Sequence, residues 1–351
     1  MLPPPRPAPS ASAHPDDAIR STDDDAAASR LSAVSLGYLD DPFVSLLYRP
    51  QRIGRDSSST HKPPLINIGT HHRTAALDAV VDSFLSASAT ASRPAQIVSL
   101  GAGSDTRFWR LAARQDFRLG KYVEVDFPHL TSVKAQRIAK SKVLVSALGE
   151  APPAAAGAPM APPAKPYKVG HGGTSLSSER YTLLPVDLRT PGALDQVAAA
   201  LDPDAPTLVI SECVFCYMEP EASREVLAWF GSRFENVASV VYEMCGLNDA
   251  FGAVMKRNLA ARNLSLPGAL PFPTAQSQAE RFLDPRLGDG VFTKSGAKSL
   301  WSIRSDVVSD AEQARISKLE FLDEIEELRL VLSHYVVAWG TKGSLLEGVG
   351  L

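Results

Sequence analysis

The sequence has few cysteines and no long apolar run. Its 351 residues include three cysteines, Cys213, Cys216 and Cys245. Three cysteines are few for a chain of this length, and an odd number cannot all pair. This count argues against a disulfide framework and for a reducing compartment. No run of eighteen apolar residues is present, so we expect no membrane span. The first thirty residues hold several aspartates and no apolar leader, and together these features predict a cytoplasmic protein.

An excess of positive charge is also missing. Thirty-six basic residues stand against 39 acidic ones, which gives a formal net charge of -3. Nucleic-acid-binding domains usually carry a clustered basic surface, and no basic stripe is present here. We therefore expect no nucleic-acid partner. The hydrophobic content of 44% and charged content of 21% are ordinary for a globular protein.

Low-complexity composition marks the expected domain limits. Residues 1–28 consist mostly of Pro, Ala, Ser and Asp, with little to bury, and are expected to form a disordered tail. Residues 149–178 contain APPAAAGAPMAPPAKP and are expected to be a disordered surface insertion. With a short tail at 346–351, one domain remains over residues 29–345.

Apolar patterning within this domain alternates between strand and helix. The predicted strands are 96–100, 121–126, 181–188, 207–212, 239–244 and 334–340, and the clearest helices are 73–88, 106–114 and 220–234. Such alternation predicts an α/β fold with a mainly parallel sheet covered on both faces. Residues 247–302 break this rhythm with longer amphipathic pieces and several prolines, and are expected to form a helical lid over the strand ends.

The first predicted strand ends in a glycine turn, VSLGAGSDTRFWRL (98–111). Gly101 and Gly103 would let the backbone turn tightly and approach a ligand, at the strand end where open α/β sheets bind ligands. The dinucleotide fingerprint requires a third glycine where this chain has Thr106. The turn therefore favours S-adenosylmethionine over NAD, although a glycine pair can also be only a turn.

An acid follows the second predicted strand, EVDFP (124–128). Asp126 lies about twenty residues after the glycines, where a carboxylate can accept hydrogen bonds from ribose hydroxyls. Glu124 shares its face and is interpreted as a supporting or exposed partner.

Two further acids end later strands. Asp187, followed by Leu188, could accept from an adenine amino group while the leucine packs on the ring, or could cap the helix beyond Arg189. Glu212 ends an apolar strand, so it is either a buried charge with a partner or a ligand group in the cleft. The cost of burying an unpaired acid favours the cleft.

Several motifs point to no metal and no nucleophile. Cys213 and Cys216 form a CxxC pair without a second cysteine pair or a nearby histidine, so we interpret them as small buried hydrophobes rather than zinc ligands. His71 and His72 lack metal-spaced acids. Arg73, expected at a helix start, could hold a carboxylate bidentately. No Ser/His/Asp arrangement is present.

Taken in order, these segments resemble the leucine carboxyl methyltransferase family. The matching stretches are SLGYLDDPF (35–43), Arg73, the glycine turn, KYVEVDFPHLTSVKAQRI (121–138), PVDLR (185–189), SECVFCYMEPEAS (211–223), YEMCGLNDAFG (242–252) and the stretch from 317 to 343. The resemblance covers residues 29–345 apart from 149–178. It implies a Rossmann-like class I methyltransferase with a seven-stranded, mainly parallel sheet and a helical lid.

The resemblance also implies a cofactor and a substrate. The methyl donor would be S-adenosylmethionine, and the acceptor the C-terminal leucine α-carboxylate of the protein phosphatase 2A catalytic subunit. The implied cofactor-binding residues are Arg30 (in place of a family lysine), Arg73, Gly101, Asp126, Asp187, Leu188 and Glu212, to which the glycine turn itself adds Gly103. Arg73 and Tyr217 are candidates for positioning the substrate. A carboxylate is ionised at pH 7, so no general base is needed, and we expect a monomer.

Three other functions fit the same pattern. The first is a wybutosine-type tRNA methyltransferase, which shares this domain but carries an appended repeat domain in addition. A small-molecule O-methyltransferase of the same superfamily is the second alternative. The third is a non-catalytic module that binds S-adenosylmethionine.

Overall fold

The computed structural model describes residues 14, 16–50, 61–150 and 165–351. Within these residues the chain forms one sheet of nine strands. The strands are β1 (Gln96–Leu100), β2 (Lys121–Asp126), β3 (Tyr167–Gly170), β4 (Ser175–Ser178), β5 (Tyr181–Pro185), β6 (Thr207–Glu212), β7 (Val237–Met244), β8 (Lys294–Ser299) and β9 (Tyr335–Lys342).

The α-helices lie between and around these strands. They are α1 (Asp17–Arg20), α2 (Thr22–Ser35), α3 (Val44–Leu47), α4 (Pro64–Ala87), α5 (Arg107–Ala112), α6 (Pro128–Lys140), α7 (Lys142–Ser146), α8 (Leu194–Ala198), α9 (Pro220–Arg233), α10 (Ala250–Ala260), α11 (Ala275–Glu280), α12 (Leu300–Asp306), α13 (Asp310–Ile316) and α14 (Ile325–Ser333). Among the described residues, no helix combines the length and apolar content that a membrane crossing requires.

The strand order is β3-β4-β5-β2-β1-β6-β7-β9-β8. Strands β5, β2, β1, β6 and β7 run parallel, whereas β9 is antiparallel to both of its neighbours. The predicted Rossmann-like α/β fold is confirmed. The prediction of seven strands is wrong, because β3 and β4 form an antiparallel hairpin that extends the β5 edge.

The sheet is buried on both faces, as its continuous apolar strands predict. In β1, Ile97 belongs to one core cluster and Val98 to the other. In β6, Leu208 and Val209 divide in the same way. Because successive side chains point to opposite faces of a strand, this alternation requires a helical layer on each side.

Proline sets the start of three helices that flank the strand ends. Pro64, Pro128 and Pro220 occupy the first turn of α4, α6 and α9. The proline ring fixes φ near its helical value, and the missing N–H would have no partner within the helix at that position. Helix α4 begins nine residues before the predicted start at 73, so Arg73 lies within the helix rather than at its start.

Both predicted terminal tails are wrong wherever the structure describes them. Residues 16–28 lie largely in α1 and α2, and Ala27 is buried; residues 1–13 and 15 lie outside the described residues. At the other end, Leu346 and Val349 are buried in the core cluster on the α4 side of the sheet. The last residues therefore pack onto the domain because they carry apolar side chains that reach this cluster.

The two internal segments also differ from expectation. Of the predicted disordered insertion, residues 165–178 form the β3–β4 hairpin, with Leu176 buried opposite Leu183, and 151–164 lie outside the described residues. The predicted helical lid at 247–302 contains α10 and α11 but also strand β8. The strand went unrecognised because its sequence, KSGAKS, has almost no apolar residues and occupies a sheet edge.

A valine near the C-terminus provides a test of this packing. Val349 is 4% exposed, whereas Val143 in α7 is 55% exposed. Val349→Ala removes two buried carbons, each worth about 0.8 kcal/mol, so the free energy of unfolding should fall by about 1.5 kcal/mol. Urea titration should show no more than about 0.5 kcal/mol for the matched Val143→Ala control. Equal losses in the two variants would contradict this packing.

Candidate active site

A cavity of about 430 Å³ lies at the carboxyl ends of β1, β2, β5 and β6. This is the edge of an open α/β sheet where ligands are expected to bind. Helices α2 and α4 and the segment after β6 also contribute to its wall. All eight residues predicted to bind the cofactor line this cavity, as does Tyr217.

The glycine turn brings the β1 backbone close to two other segments. Gly101 and Gly103 have φ values of 61° and 44°, in the left-handed region that favours glycine. A Cβ at Gly101 would overlap Val214, and one at Gly103 would overlap Asp23. These glycines are therefore required by the protein's own packing.

Asp126 is held by the backbone at the end of β2. One carboxylate oxygen accepts from Gly103 N at 2.6 Å, and the other accepts from Phe127 N at 2.7 Å. Burial raises the pKa of Asp126 to about 6, although these two amides oppose the shift. The turn thus orients the carboxylate, and each oxygen keeps a lone pair for a hydroxyl donor.

This raised pKa predicts a pH-dependent affinity for a ribose-containing ligand. Ionised Asp126 accepts hydroxyl hydrogen bonds better than the neutral acid, so affinity is full above pH 7 and falls as the pH drops through about 6. If only the ionised form binds, the Kd for S-adenosylhomocysteine should rise about tenfold between pH 7 and pH 5. Calorimetric titration measures this change.

Asp126→Asn is the control for the pH titration. It removes the titrating group and keeps Glu124, the nearby buried acid whose pKa burial raises to about 7. The variant should bind weakly with little change across this pH range. A tenfold change retained in Asp126→Asn would assign the pH dependence to another group.

Glu124 forms a buried ion pair with Lys134 and does not line the cavity. Its carboxylate accepts from Tyr181 Oη at 2.6 Å and lies 2.5 Å from Lys134 Nζ. Of the two interpretations, the supporting role is therefore right and the exposed one is wrong.

Asp187 does not cap a helix, as one interpretation expected, because α8 begins only at Leu194 with Ala193 as its N-cap. Its carboxylate accepts from the backbone N of Arg189 at 3.0 Å and from that guanidinium at 2.7–2.9 Å. These hydrogen bonds lower the pKa of Asp187. Asp187 and Leu188 also line the cavity, so the turn after β5 fixes a charged oxygen and an apolar side chain there.

Glu212 lies between two arginines at the end of β6. Arg73 Nε donates to one carboxylate oxygen at 2.6 Å, and Arg107 Nη2 lies 2.8 Å from the other. Burial alone would raise the pKa of Glu212, but the two guanidinium groups outweigh it and lower the pKa. Glu212 is therefore a paired charge that also borders the cavity, which joins the two interpretations left open by the sequence.

The guanidinium of Arg73 lies 4.6 Å from the Tyr242 ring centre, as in a cation–π contact. Among the described residues, Nε is the atom of Arg73 with a hydrogen bond to protein. The side chain borders the cavity, so its terminal nitrogen atoms can meet a carboxylate bidentately.

Sequence reasoning missed Arg107, whose side chain is 3% exposed. It pairs with Asp105 at 2.8 Å and with Asp78 at 3.6 Å, in addition to Glu212. The available signal was the order Asp-Thr-Arg after the glycine turn, since an arginine at that place enters α5 beside the strand ends. A six-residue helix has too short a pattern to distinguish its buried face from its exposed one.

Arg30 is held by protein groups at the cavity edge. Its Nε donates to buried Asp41 at 2.6 Å, and Nη1 donates to Thr74 Oγ1 at 3.2 Å. Arg30 also borders the cavity. Its position fits a cofactor contact, although two of its donors are already used.

Tyr217 ends a short 3₁₀ turn, Phe215–Tyr217, after β6. The buried carboxylate of Glu243 accepts from the backbone N of Phe215 and of Cys216 at 3.0 and 3.1 Å, which fixes the turn. Burial raises the pKa of Tyr217, so the phenol is a neutral donor at pH 7.

Of the two cysteines interpreted as small buried hydrophobes, Cys216 is buried but Cys213 is half-buried and lines the cavity. His71 and His72 are buried, and His71 Nε2 lies 2.8 Å from a Glu312 oxygen. Over the described ranges, no cluster of His, Cys, Asp or Glu could hold a metal ion.

Helices α1 and α2 cover the cavity, although the sequence predicted a disordered tail there. Asp23 accepts from Ser104 N and Oγ at 2.7 and 2.8 Å, and Asp16 accepts twice from Arg189 at 2.8 and 2.7 Å. The predicted lid contributes less, with Leu259 on the cavity wall and an ion pair between Arg262 and Asp25.

Comparison with known proteins agrees with this architecture. A family model described as leucine carboxyl methyltransferase matches residues 18–231. Leucine carboxyl methyltransferase 1 of Cryptococcus neoformans var. neoformans serotype D is 54% identical over 99% of this chain and 99% of the relative. The protein of the same name from Yarrowia lipolytica is 38% identical over 93% and 97%. The tRNA wybutosine-synthesizing protein 4 of Rattus norvegicus is 31% identical over 94% of this chain but 45% of the relative. This chain is therefore a member of the leucine carboxyl methyltransferase family.

Proposed function

We propose that this protein transfers a methyl group from S-adenosylmethionine to the α-carboxylate of the C-terminal leucine of the protein phosphatase 2A catalytic subunit. The product is a leucine methyl ester. The observation that carries the proposal is the cavity at the strand ends, which combines a backbone-held acid, Asp126, with an arginine, Arg73, that can bind carboxylates. Family membership supplies the reaction class.

The cavity residues fit this cofactor. Asp126 would accept from the ribose hydroxyls, while Asp187 and Leu188 would hold the adenine. Arg73, with Arg30, would hold the amino-acid carboxylate. A volume of about 430 Å³ lies within the range of about 300–1,000 Å³ usual for small-molecule sites. When bound, S-adenosylmethionine supplies an electrophilic methyl group that a carboxylate oxygen can accept.

The chain's own work in this reaction is positioning. A terminal carboxylate has a reference pKa of about 3.3–3.7, so it is already a charged nucleophile and needs no base. Arg73 and the neutral Tyr217 phenol border the cavity, where both can donate to that carboxylate. Holding two reactants in line and excluding water can lower a barrier by about 7–11 kcal/mol.

Methyl transfer from labelled S-adenosylmethionine tests the proposal. The acceptors are the intact phosphatase catalytic subunit, the same protein without its terminal leucine, and a version whose terminal carboxylate is an amide. We expect label on the intact protein alone, released as methanol by mild alkali. At saturating cofactor the rate should lack a steep rise from pH 6 to 8. Equal labelling of the three acceptors, or a base-stable label, would contradict a carboxylate acceptor.

A further inference from the structure

Two cysteines lie in the turn that follows β6. Cys213 directly follows the strand and lines the cavity, whereas Cys216 is buried. Cys213 packs against the buried cluster that contains Cys216. Cys213 has a φ of 54°, uncommon for a residue with a Cβ, and its N–H donates to Tyr242 O at 2.7 Å. The turn after β6 therefore places one cysteine at the cavity and the other in the cluster behind it.

We propose that Cys213 and Cys216 form an oxidation site, at which a hydroperoxide converts the two thiols into a disulfide that disables the cavity for methyl transfer. Formation of the disulfide is independent of the proposed substrate. Reversible disulfides in reducing compartments are usually catalytic or redox-sensing, and a sensor cysteine is accessible with a resolving cysteine beside it.

The surroundings give the two sulfurs different roles. Cys213 lines the cavity, where a small oxidant can enter, and the Arg73 side chain lines the same cavity. Burial raises the pKa of Cys216, which keeps this sulfur protonated until it reacts. The carboxylate of Glu243 accepts from the backbone N of Cys216 at 3.1 Å, so a proton acceptor lies beside this residue inside the core.

The chemistry balances in two steps. First, the Cys213 sulfur attacks the hydroperoxide, so that an S–O bond forms, the O–O bond breaks, and an alcohol (or water) leaves with the thiol proton. Second, the Cys216 sulfur attacks the resulting sulfenic acid at Cys213, forming the S–S bond as the S–O bond breaks. The Cys216 proton passes through Glu243 to the departing hydroxide, which leaves as water. Two thiols are oxidised and one hydroperoxide is reduced.

The disulfide would change the wall that we assign to the substrate. Tyr217 follows Cys216 directly, and Arg73 and Cys213 line the same cavity. A bond between the sulfurs draws Cys213 away from the cavity and strains the turn that presents Tyr217. The third cysteine is a natural control, because Cys245 is buried and its Sγ contacts Ser333 O at 3.5 Å.

The experiment treats the full-length protein with hydrogen peroxide, followed by acid quench, alkylation and peptide mass spectrometry. We expect a loss of about 2 Da in the peptide that spans Cys213 and Cys216, reversed by dithiothreitol. Cys245→Ala should form the disulfide as the parent protein does. In Cys216→Ser, a dimedone adduct should accumulate at Cys213 because the resolving thiol is gone.

Methyl incorporation is measured on the same samples. Oxidation should reduce it at least tenfold in the parent protein and in Cys245→Ala, with recovery after dithiothreitol. Peroxide should not produce the disulfide in Cys216→Ser.

Absence of the Cys213–Cys216 disulfide in the parent protein, or a first adduct at Cys216, would overturn the oxidation site. A disulfide with unchanged methyl incorporation would overturn its effect on the cavity. If even the reduced protein fails to methylate the phosphatase, the proposed substrate is wrong while the mass measurement still decides the oxidation site.

Discussion

Replacement of Arg73 by methionine should raise the Kd for S-adenosylhomocysteine at least 100-fold. The expected loss is two charge-assisted hydrogen bonds to the ligand's carboxylate, each worth about 1.5–3 kcal/mol. A total of about 3 kcal/mol or more corresponds to a factor of about 100. Methionine keeps an unbranched apolar stem against Tyr242, so the change mainly removes the charged group.

The fold should survive this substitution because Glu212 keeps Arg107 at 2.8 Å. Calorimetric titration measures the Kd, and circular dichroism checks the fold. Arg73→Lys is the matched variant, since it retains the charge but not the planar pair of donors, and it should recover only part of the affinity. Arg93→Met removes an arginine whose side chain is 57% exposed and should bind normally. Normal affinity in a folded Arg73→Met protein would show that Arg73 does not hold the ligand.

The strands and the acids at their ends could be predicted because both depend on local pattern. Strands β1, β2 and β6 have the predicted bounds, since each is a short apolar run ended by a glycine or an acid. Parallel strands all end at one edge of the sheet, so the positions of Asp126, Asp187 and Glu212 follow from the order of elements.

The position of helices α1 and α2 over the cavity could not be predicted in this way, because hydrogen bonds between residues far apart in sequence hold these helices in place. Asp16 meets Arg189, and Asp23 meets Ser104, across 173 and 81 positions. Nothing in the Asp- and Ala-rich N-terminal segment indicates which distant donor each acid meets. Three aspartates in the first turn of α2 and the alanines after them do favour a helix, so the helix has a local signal in the sequence although its contacts have none.

In α4, by contrast, the local sequence argues against a helix that the structure contains. The residues PLINIGTHH (64–72) include a glycine, two histidines and β-branched isoleucines, which are weak helix formers. They are helical because four of them, Asn67, Ile68, His71 and His72, are buried against neighbouring elements. Tertiary packing outweighed local propensity, and the helix that carries Arg73 is therefore longer than its sequence indicates.

Replacement of Asp41 by asparagine should lower the free energy of unfolding by about 3–5 kcal/mol, because removal of one partner leaves a buried charge without compensation. The Asp41 side chain is fully buried, and its carboxylate accepts from Arg30 Nε at 2.6 Å, from Thr106 Oγ1 at 2.5 Å and from Phe43 N at 3.0 Å. An amide has one acceptor oxygen, so its NH₂ group would face at least one donor, the N–H of Phe43 if the amide oxygen keeps Arg30 and Thr106. Burial already lowers the pKa of Arg30, which marks the cost of enclosing that guanidinium.

The adjacent residue supplies the matched control. Asp40 is exposed, so Asp40→Asn should change the free energy of unfolding by no more than about 0.5 kcal/mol in a urea titration. The Asp41→Asn and Asp40→Asn variants also test the assignment of Arg30 to the cofactor, because Asp41 fixes the direction of the Arg30 guanidinium toward the cavity edge. If Arg30 binds the cofactor, Asp41→Asn should weaken S-adenosylhomocysteine binding under conditions where the variant remains folded, and Arg30→Met should weaken it similarly. Loss of stability with unchanged affinity in both variants would make Arg30 a structural residue that serves the Arg30–Asp41 ion pair.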